Sequence, residues 1–385
     1  MLWLRWVVLC GLLLLPVEGF ALPAAPGVPL LETQVGRLIA HPQFDGPQPL
    51  LLVHGIGAEN EKPWFHWGAF LRYLTAHPEH AQRFRVYLYQ FDSSKSVPEI
   101  SADLNQTLLK WQATHPQESL KILAYSEGGL LVRNVLQDPR VNVKKVITVG
   151  TPFHGSPLAN PAWLHQQTRQ TSVLSPVRMF MGLSYKIARK RYPSFEADFQ
   201  WDNFDQALLT TDKGEVNGYL MAHDPRFVTY GSFFSVDADD AQELAHSLNT
   251  TLPRERYNLK DWFSQHFLFF LVNNNIAKMP LANPSKTTPL MAYNDGISPI
   301  SSTLWMGRFV KDKTTVSLKH LWQALLGLRG TGVARLFPAL DHRDWLDGDT
   351  RCKTLLVQDL LNPDQPPKPV FEWFLADLTT TAQPG

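Results

Sequence analysis

Two cysteines, Cys10 and Cys352, are all the chain has in 385 residues. Cys10 lies in an apolar run near the amino terminus, so a chain cut after that run keeps Cys352 alone and can form no intrachain disulfide. Cys352 then reads as a small buried hydrophobe. Charge is sparse and nearly balanced: 18% of residues are charged and the formal net charge is +1. Nothing in that balance favours a nucleic-acid partner. Two apolar runs stand out, at 7–15 and 262–272. Both are shorter than the ~20 residues a membrane-spanning helix needs. There is no internal repeat. What the chain does have is apolar bulk: 44% hydrophobic residues, with 12 Trp and 22 Phe. That suffices for a sizeable core, and core packing accounts for most of the aromatics.

The amino-terminal residues 1–21 have the build of a secretory signal. Arg5 supplies the positive end, 7–15 the apolar stretch, and Gly19-Phe20-Ala21 the small residues at a cleavage site. The expected location is therefore secreted or periplasmic. An exported protein with a large core needs no disulfide staples. Residues 22–33 read as a Pro-rich linker, and 34–385 as one large domain.

Along that domain, short apolar runs alternate with amphipathic stretches. Strands are expected at 34–40, 49–53, 84–91, 120–125, 145–150, 226–231 and 315–320. Helices are expected at 64–74, 100–114, 128–136, 179–191, 298–305, 350–361 and 370–378. In 84–91, Phe84, Val86, Leu88 and Gln90 fall on one side, and Tyr87, Tyr89 and Phe91 on the other. Such alternation of elements predicts a mostly parallel sheet covered on both faces. The pattern breaks at about 157–225 and again at about 236–290. The first break reads as a cap or lid over the strand ends, and the second as a further insertion. Lys186, Arg189, Lys190 and Arg191 give the cap a basic helix end suited to a membrane surface.

The most informative stretch is Leu120 to Asn134. An apolar strand runs into Ser126-Glu127-Gly128-Gly129 and then into a helical pattern. A strand, a sharp turn carrying serine, and a helix make a nucleophile elbow. Ala124 and Gly128, two residues to either side, are small enough for strand and helix to approach closely. A serine hydroxyl needs a histidine base, an acid to orient that base, and donors for the oxyanion. Where an elbow carries the nucleophile, the chain order is serine, acid, histidine. Asp295, in Asn-Asp-Gly, and His342 follow Ser126 in that order. Asp237 and His320 are the competing acid and base. His54 and His154, each just past an expected strand end, read as loop architecture. Thr151-Pro152 and Gly155-Ser156 read as the floor beside the elbow.

Taken together, His54-Gly55, Ala-Tyr-Ser126-Glu-Gly-Gly, Gly-Thr151-Pro-Phe-His-Gly-Ser156, Asn-Asp295-Gly and Asp-His342-Arg-Asp344 resemble the α/β-hydrolase superfamily. The nearest flavour is the bacterial triacylglycerol lipases and lipase-like esterases. These blocks extend from Leu50 to about Leu346. The resemblance implies an α/β-hydrolase fold with a cap or lid insertion. It implies Ser126 as nucleophile, Asp295 as acid, His342 as base, and the amides of Ile56 and Glu127 as the oxyanion hole. Trp64, Phe65 and Trp67, after the His-Gly turn, would line an acyl pocket. The expected reaction is hydrolysis of lipid or acyl esters. An acyltransferase or amidase on the same fold is the near alternative, and a non-catalytic binding protein the distant one. No cofactor is expected. Some of these lipases hold a structural calcium near the histidine loop; Asp344 matches one ligand, while Gly348 stands where another side-chain oxygen is wanted.

Overall fold

A computed structural model describes residues 27–57, 64–159, 185–199, 226–233, 294–304, 325–338, 340, 342, 345 and 356–380. The expected signal segment, the second insertion, most of the cap, Asp237, His320, Asp344, Gly348 and Cys352 lie outside the described residues, as does the expected strand at 315–320. Eight strands form one sheet: β1 (Val28–Glu32), β2 (Gly36–Asp45), β3 (Gln48–Val53), β4 (Phe84–Phe91), β5 (Leu120–Tyr125), β6 (Val143–Val149), β7 (Phe227–Phe233) and β8 (Ala334–Pro338). Their order is β1-β2-β4-β3-β5-β6-β7-β8. β1 runs antiparallel to β2, and β2 antiparallel to β4. From β4 to β8 every neighbour is parallel.

Parallel strands buried on both faces need apolar residues at consecutive positions rather than alternate ones. Leu50, Leu51, Leu52 and Val53 of β3 meet that need, each with no exposed surface. The strand residues divide between two cores. Leu50, Leu52, Phe84, Val86, Leu88 and Leu123 pack on one face, with α1 (Gly68–Ala76) and α4 (Val370–Thr379). Leu51, Val53, Tyr87, Tyr89, Phe91 and Ile122 pack on the other, with α2 (Val97–Thr114) and α3 (Glu127–Val135). The two sides expected of 84–91 are the two faces observed. α2 starts where its sequence marks a start: Ser96 accepts from the Glu99 amide and the Glu99 carboxylate accepts from the Ser96 amide, with Pro98 in the first turn.

This topology creates the site's position. The chain leaves β3 for α1 on one face and goes on to β4. It leaves β5 for α3 on the opposite face and goes on to β6. β3 and β5 are neighbours, so the loops after them part to opposite sides, and a crevice opens at their carboxyl ends. Ligands of open α/β sheets bind at such a switch point.

Three expectations are corrected. β1 lies inside the stretch expected as linker: Val28 to Glu32 pair with β2 as an edge strand. β8 has no counterpart among the expected strands, for its core position 335 is an arginine. The expected helix at 350–361 is not helical over 356–361. There the chain is tied along β8, with the Leu360 amide on the Leu336 carbonyl at 2.9 Å and Val357 bridging to Lys368.

Candidate active site

Ser126 sits between β5 and α3 with φ 51° and ψ −121°. Among the described residues it is the one non-glycine with positive φ. Strain of this kind persists only where the surroundings fix it. Here the Ser126 amide donates to the Val149 carbonyl at 2.8 Å, and the Gly129 amide returns to the Ser126 carbonyl at 3.1 Å. The small residues are required by contact. A Cβ on Gly128 would stand 2.5 Å from the His54 carbonyl oxygen and 2.6 Å from that of Val53, both immobile backbone. One on Gly129 would stand 2.0 Å from Thr151 Oγ1, so Thr151 fills the space beside the elbow.

Ser126, Asp295 and His342, far apart in sequence, come together. His342 Nε2 lies 3.0 Å from Ser126 Oγ, and His342 Nδ1 lies 2.7 Å from Asp295 Oδ2. All three residues are buried. A carboxylate oxygen accepts, so Nδ1 carries the proton and donates to Asp295, which leaves Nε2 as the acceptor facing the serine hydroxyl. Asp295 is itself fixed. Its Oδ1 accepts from the amides of Ser298 at 2.7 Å and Ile297 at 3.0 Å. Its carbonyl accepts from the His342 amide at 2.9 Å.

The loop after β3 faces the serine. A Cβ on Gly55 would be 2.9 Å from Ser126 Cβ, so glycine is needed for this approach. Two bonds hold the loop to the end of β4. The Phe91 amide donates to His54 Nε2 at 3.1 Å, and the Gly57 amide donates to Ser93 Oγ at 3.1 Å. Ile56 lies between these anchors. Glu127, the other expected oxyanion residue, opens α3, and its side chain is buried.

The remaining histidines of the site are architectural. His54 Nδ1 lies 2.7 Å from the Gly55 carbonyl and must donate to it, and the ring stacks on Phe91 with centroids 4.0 Å apart. Burial lowers its pKa to about 3. His154 is fully buried beside the charge of Arg133; burial first and that charge second lower its pKa to about 3. The unfolded chain, with histidines near 6.5, therefore binds two protons that the native fold refuses. Stability should then fall as pH drops from about 6.5 toward 3, by about 2 kcal/mol per histidine at pH 5. Urea midpoints at pH 7.5 and pH 5 test this, and equal midpoints would contradict it.

Other expected site residues take different places. Trp64 and Trp67 are 2% and 0% exposed and belong to the core on the α1 side. Trp64 packs edge-on to His41 at 4.6 Å, and Trp67 against Phe70 at 6.5 Å. Their rings are committed to core packing, not to the expected acyl pocket. The Phe65 side chain lies outside the described residues. Conversely, two serines tie together the loops around the site. Ser302 Oγ accepts from the His154 amide at 2.9 Å and donates to the Gly155 carbonyl at 2.8 Å. Ser156 Oγ donates to the Ile297 carbonyl at 2.5 Å. The loop after β6 is thereby clipped to the loop carrying Asp295. Gly155-Ser156 was legible as site architecture, but no spacing signal marks Ser302. From the cap segment, the Phe199 carbonyl accepts from the Ser156 amide at 2.7 Å, and Asp198 accepts from the Val97 amide at 3.0 Å.

A family model described as the alpha/beta hydrolase fold matches residues 48–176. No curated protein matches the sequence. Among solved structures, the mature form of the Bacillus licheniformis lipase BlEst2 is 14% identical, with 89% of this chain and 98% of that one covered and a TM-score of 0.37. The epoxide hydrolase VrEH1 from Vigna radiata is 13% identical, with 33% of this chain and 40% of that one covered, at 0.24. A cutinase-like protein from Cryptococcus sp. is 24% identical, with 30% and 59% covered, at 0.23. The matched family segment starts at β3 and runs past β6, the part of the sheet that holds the switch point and the elbow. That match and the strand order together give the chain the α/β-hydrolase fold.

Proposed function

We propose that this protein is an exported serine hydrolase that cleaves carboxylic esters, of lipid or acyl type, through an acyl-enzyme on Ser126. One observation carries the reading: the His342 ring bridges Ser126 Oγ at 3.0 Å and Asp295 Oδ2 at 2.7 Å. A serine hydroxyl beside an oriented, accepting imidazole is an activated nucleophile. Ser126 Oγ attacks the ester carbonyl while its proton passes to His342 Nε2. Asp295 stabilises the imidazolium through Nδ1–H. The tetrahedral oxyanion is met by the amides of Ile56 and Glu127. His342 then returns the proton to the leaving alcohol, and the C–O bond to that alcohol breaks. Water, deprotonated by His342, attacks the acyl-enzyme and releases the acid and Ser126.

Export rests on the signal-like residues 1–21. The preference for lipid or acyl esters rests on the sequence resemblance, with Trp64 and Trp67 no longer part of its support. Lys186, Arg189 and Lys190 are exposed on the helical residues 185–191, as contact with an anionic membrane surface would need. A fluorophosphonate probe and a series of p-nitrophenyl esters of graded chain length test the reading. The unsubstituted chain should be labelled and should hydrolyse part of the series, and Ser126→Ala should do neither. Labelling that survives Ser126→Ala would overturn the assignment of the nucleophile.

A further inference from the structure

The residue just before the nucleophile makes a bond that none of the steps above uses. Tyr125 ends β5, and its hydroxyl donates to the main-chain carbonyl of His342 at 2.7 Å. A carbonyl only accepts, so the direction is settled by chemistry. The Tyr125 side chain is buried, and its ring lies 5.1 Å from the His342 ring at a tilt of 39°. From the other side, the His342 amide donates to the Asp295 carbonyl at 2.9 Å. The histidine backbone is therefore held at both of its polar groups, by the acid loop through N–H and by the elbow strand through C=O.

What makes this hold informative is its origin. β5 lies in the middle of the sheet and pairs with β3 and with β6, the latter through Tyr125 itself opposite Val149. The next residue is Ser126, anchored by its own amide to Val149. Tyr125 thus links the base to the same rigid strand end that carries the nucleophile. Any drift of the histidine loop relative to that strand would lengthen the Nε2–Oγ contact. Displacements of about 1 Å cost about 100-fold in rate when a proton must be transferred across the contact.

We propose that Tyr125 is a positioning residue for His342: its hydroxyl sets the register of the imidazole against Ser126. The role rests on the serine-hydrolase reading and acts through the histidine backbone, without contact with the reacting ester. Tyr125→Phe keeps the ring and removes only the donor. It should lower kcat on a p-nitrophenyl ester about 10- to 100-fold, with KM changed by less than about twofold and the urea midpoint almost unmoved. Added to His342→Ala, the same substitution should leave the residual rate unchanged, because there is no imidazole left to position. A general packing role would lower that residual rate again. Unchanged kcat in Tyr125→Phe, or the same fold-loss in both backgrounds, would overturn the proposal. If the unsubstituted chain neither takes the fluorophosphonate nor turns over any ester, the serine-hydrolase reading itself falls, and this role with it.

Discussion

Asp295→Asn is expected to lower kcat about 10⁴-fold while the chain stays folded. The reason lies in how the two carboxylate oxygens are used. Oδ1 accepts two amides, from Ser298 and Ile297, and Oδ2 faces His342 Nδ1. In asparagine, only the carbonyl oxygen can take the two amide donors. The NH₂ group must then face Nδ1. Two donors cannot face each other, so Nδ1 becomes an acceptor and the ring proton moves to Nε2. That tautomer cannot receive the proton of Ser126. The turn itself survives, because the asparagine oxygen still accepts from Ile297 and Ser298. KM should therefore stay within a few-fold, and the urea midpoint should hold. Steady-state kinetics on the preferred p-nitrophenyl ester, with urea unfolding of the same sample, check both halves. Asp237→Asn, the control at the competing acid, should retain most of its activity. If Asp295→Asn keeps more than a tenth of kcat, Asp295 is not the orienting acid.

The elbow was legible in sequence because its constraint is local. A strand that must turn sharply into a helix beside β3 has room for nothing larger than glycine at 128, where a Cβ would meet two backbone carbonyls. The asparagine–aspartate–glycine turn is local in the same way, for Asp295 caps its own following amides. The pairing of Asp295 with His342 could be ordered from sequence but not located, since it depends on the sheet bringing separate loops to one end. Tyr125 was hidden for a different reason. As the last residue of an apolar strand it looks like core, and much of its ring is core. Only its hydroxyl has a second use. Trp64 and Trp67 err in the opposite sense: their place after the His-Gly turn suggested a pocket, but both rings, just ahead of α1, join the core on its side of the sheet. β8 was missed because Arg335 interrupts its short apolar run, and β1 because an exposed edge strand carries a weak signal. β1 is largely exposed, with Val28 at 55% and Leu30 at 45%, so it lacks the buried alternation that marks a strand.

β8 buries a charge that is paired with two carboxylates, and it gives the largest expected effect on stability. Arg335 donates through Nε and Nη2 to both oxygens of Asp377, at 2.5 Å each, and through Nη1 to Asp359 at 2.9 Å. Its guanidinium lies 4.5 Å from the centroid of the Trp373 ring. The three charged side chains are at most 8% exposed. Tyr230 of β7 adds a hydroxyl donor to Asp377, and Asp359 accepts the Leu336 and Leu361 amides as well. These contacts join α4, β7, β8 and the 356–361 segment. Arg335→Met removes the cation and leaves two buried carboxyls facing each other's field. Breaking a buried pair from one side costs about 3–5 kcal/mol, a large share of the stability of a domain. The urea midpoint at pH 7.5 should fall accordingly. The deficit should also depend on pH in a particular direction. Orphaned buried carboxyls have pKa values raised above those of the unfolded chain, so they stabilise the fold once protonated and destabilise it as pH rises through their folded values. Relative to the unsubstituted chain, Arg335→Met should therefore recover as pH is lowered from 7.5 toward 5. Asp359→Asn placed in the Arg335→Met chain should restore part of the loss at pH 7.5, because it neutralises one of the two carboxyls while keeping an acceptor for the Leu336 and Leu361 amides. A deficit that is independent of pH, or is untouched by Asp359→Asn, would mean that packing against Trp373 rather than charge holds β8 to the carboxy-terminal helix.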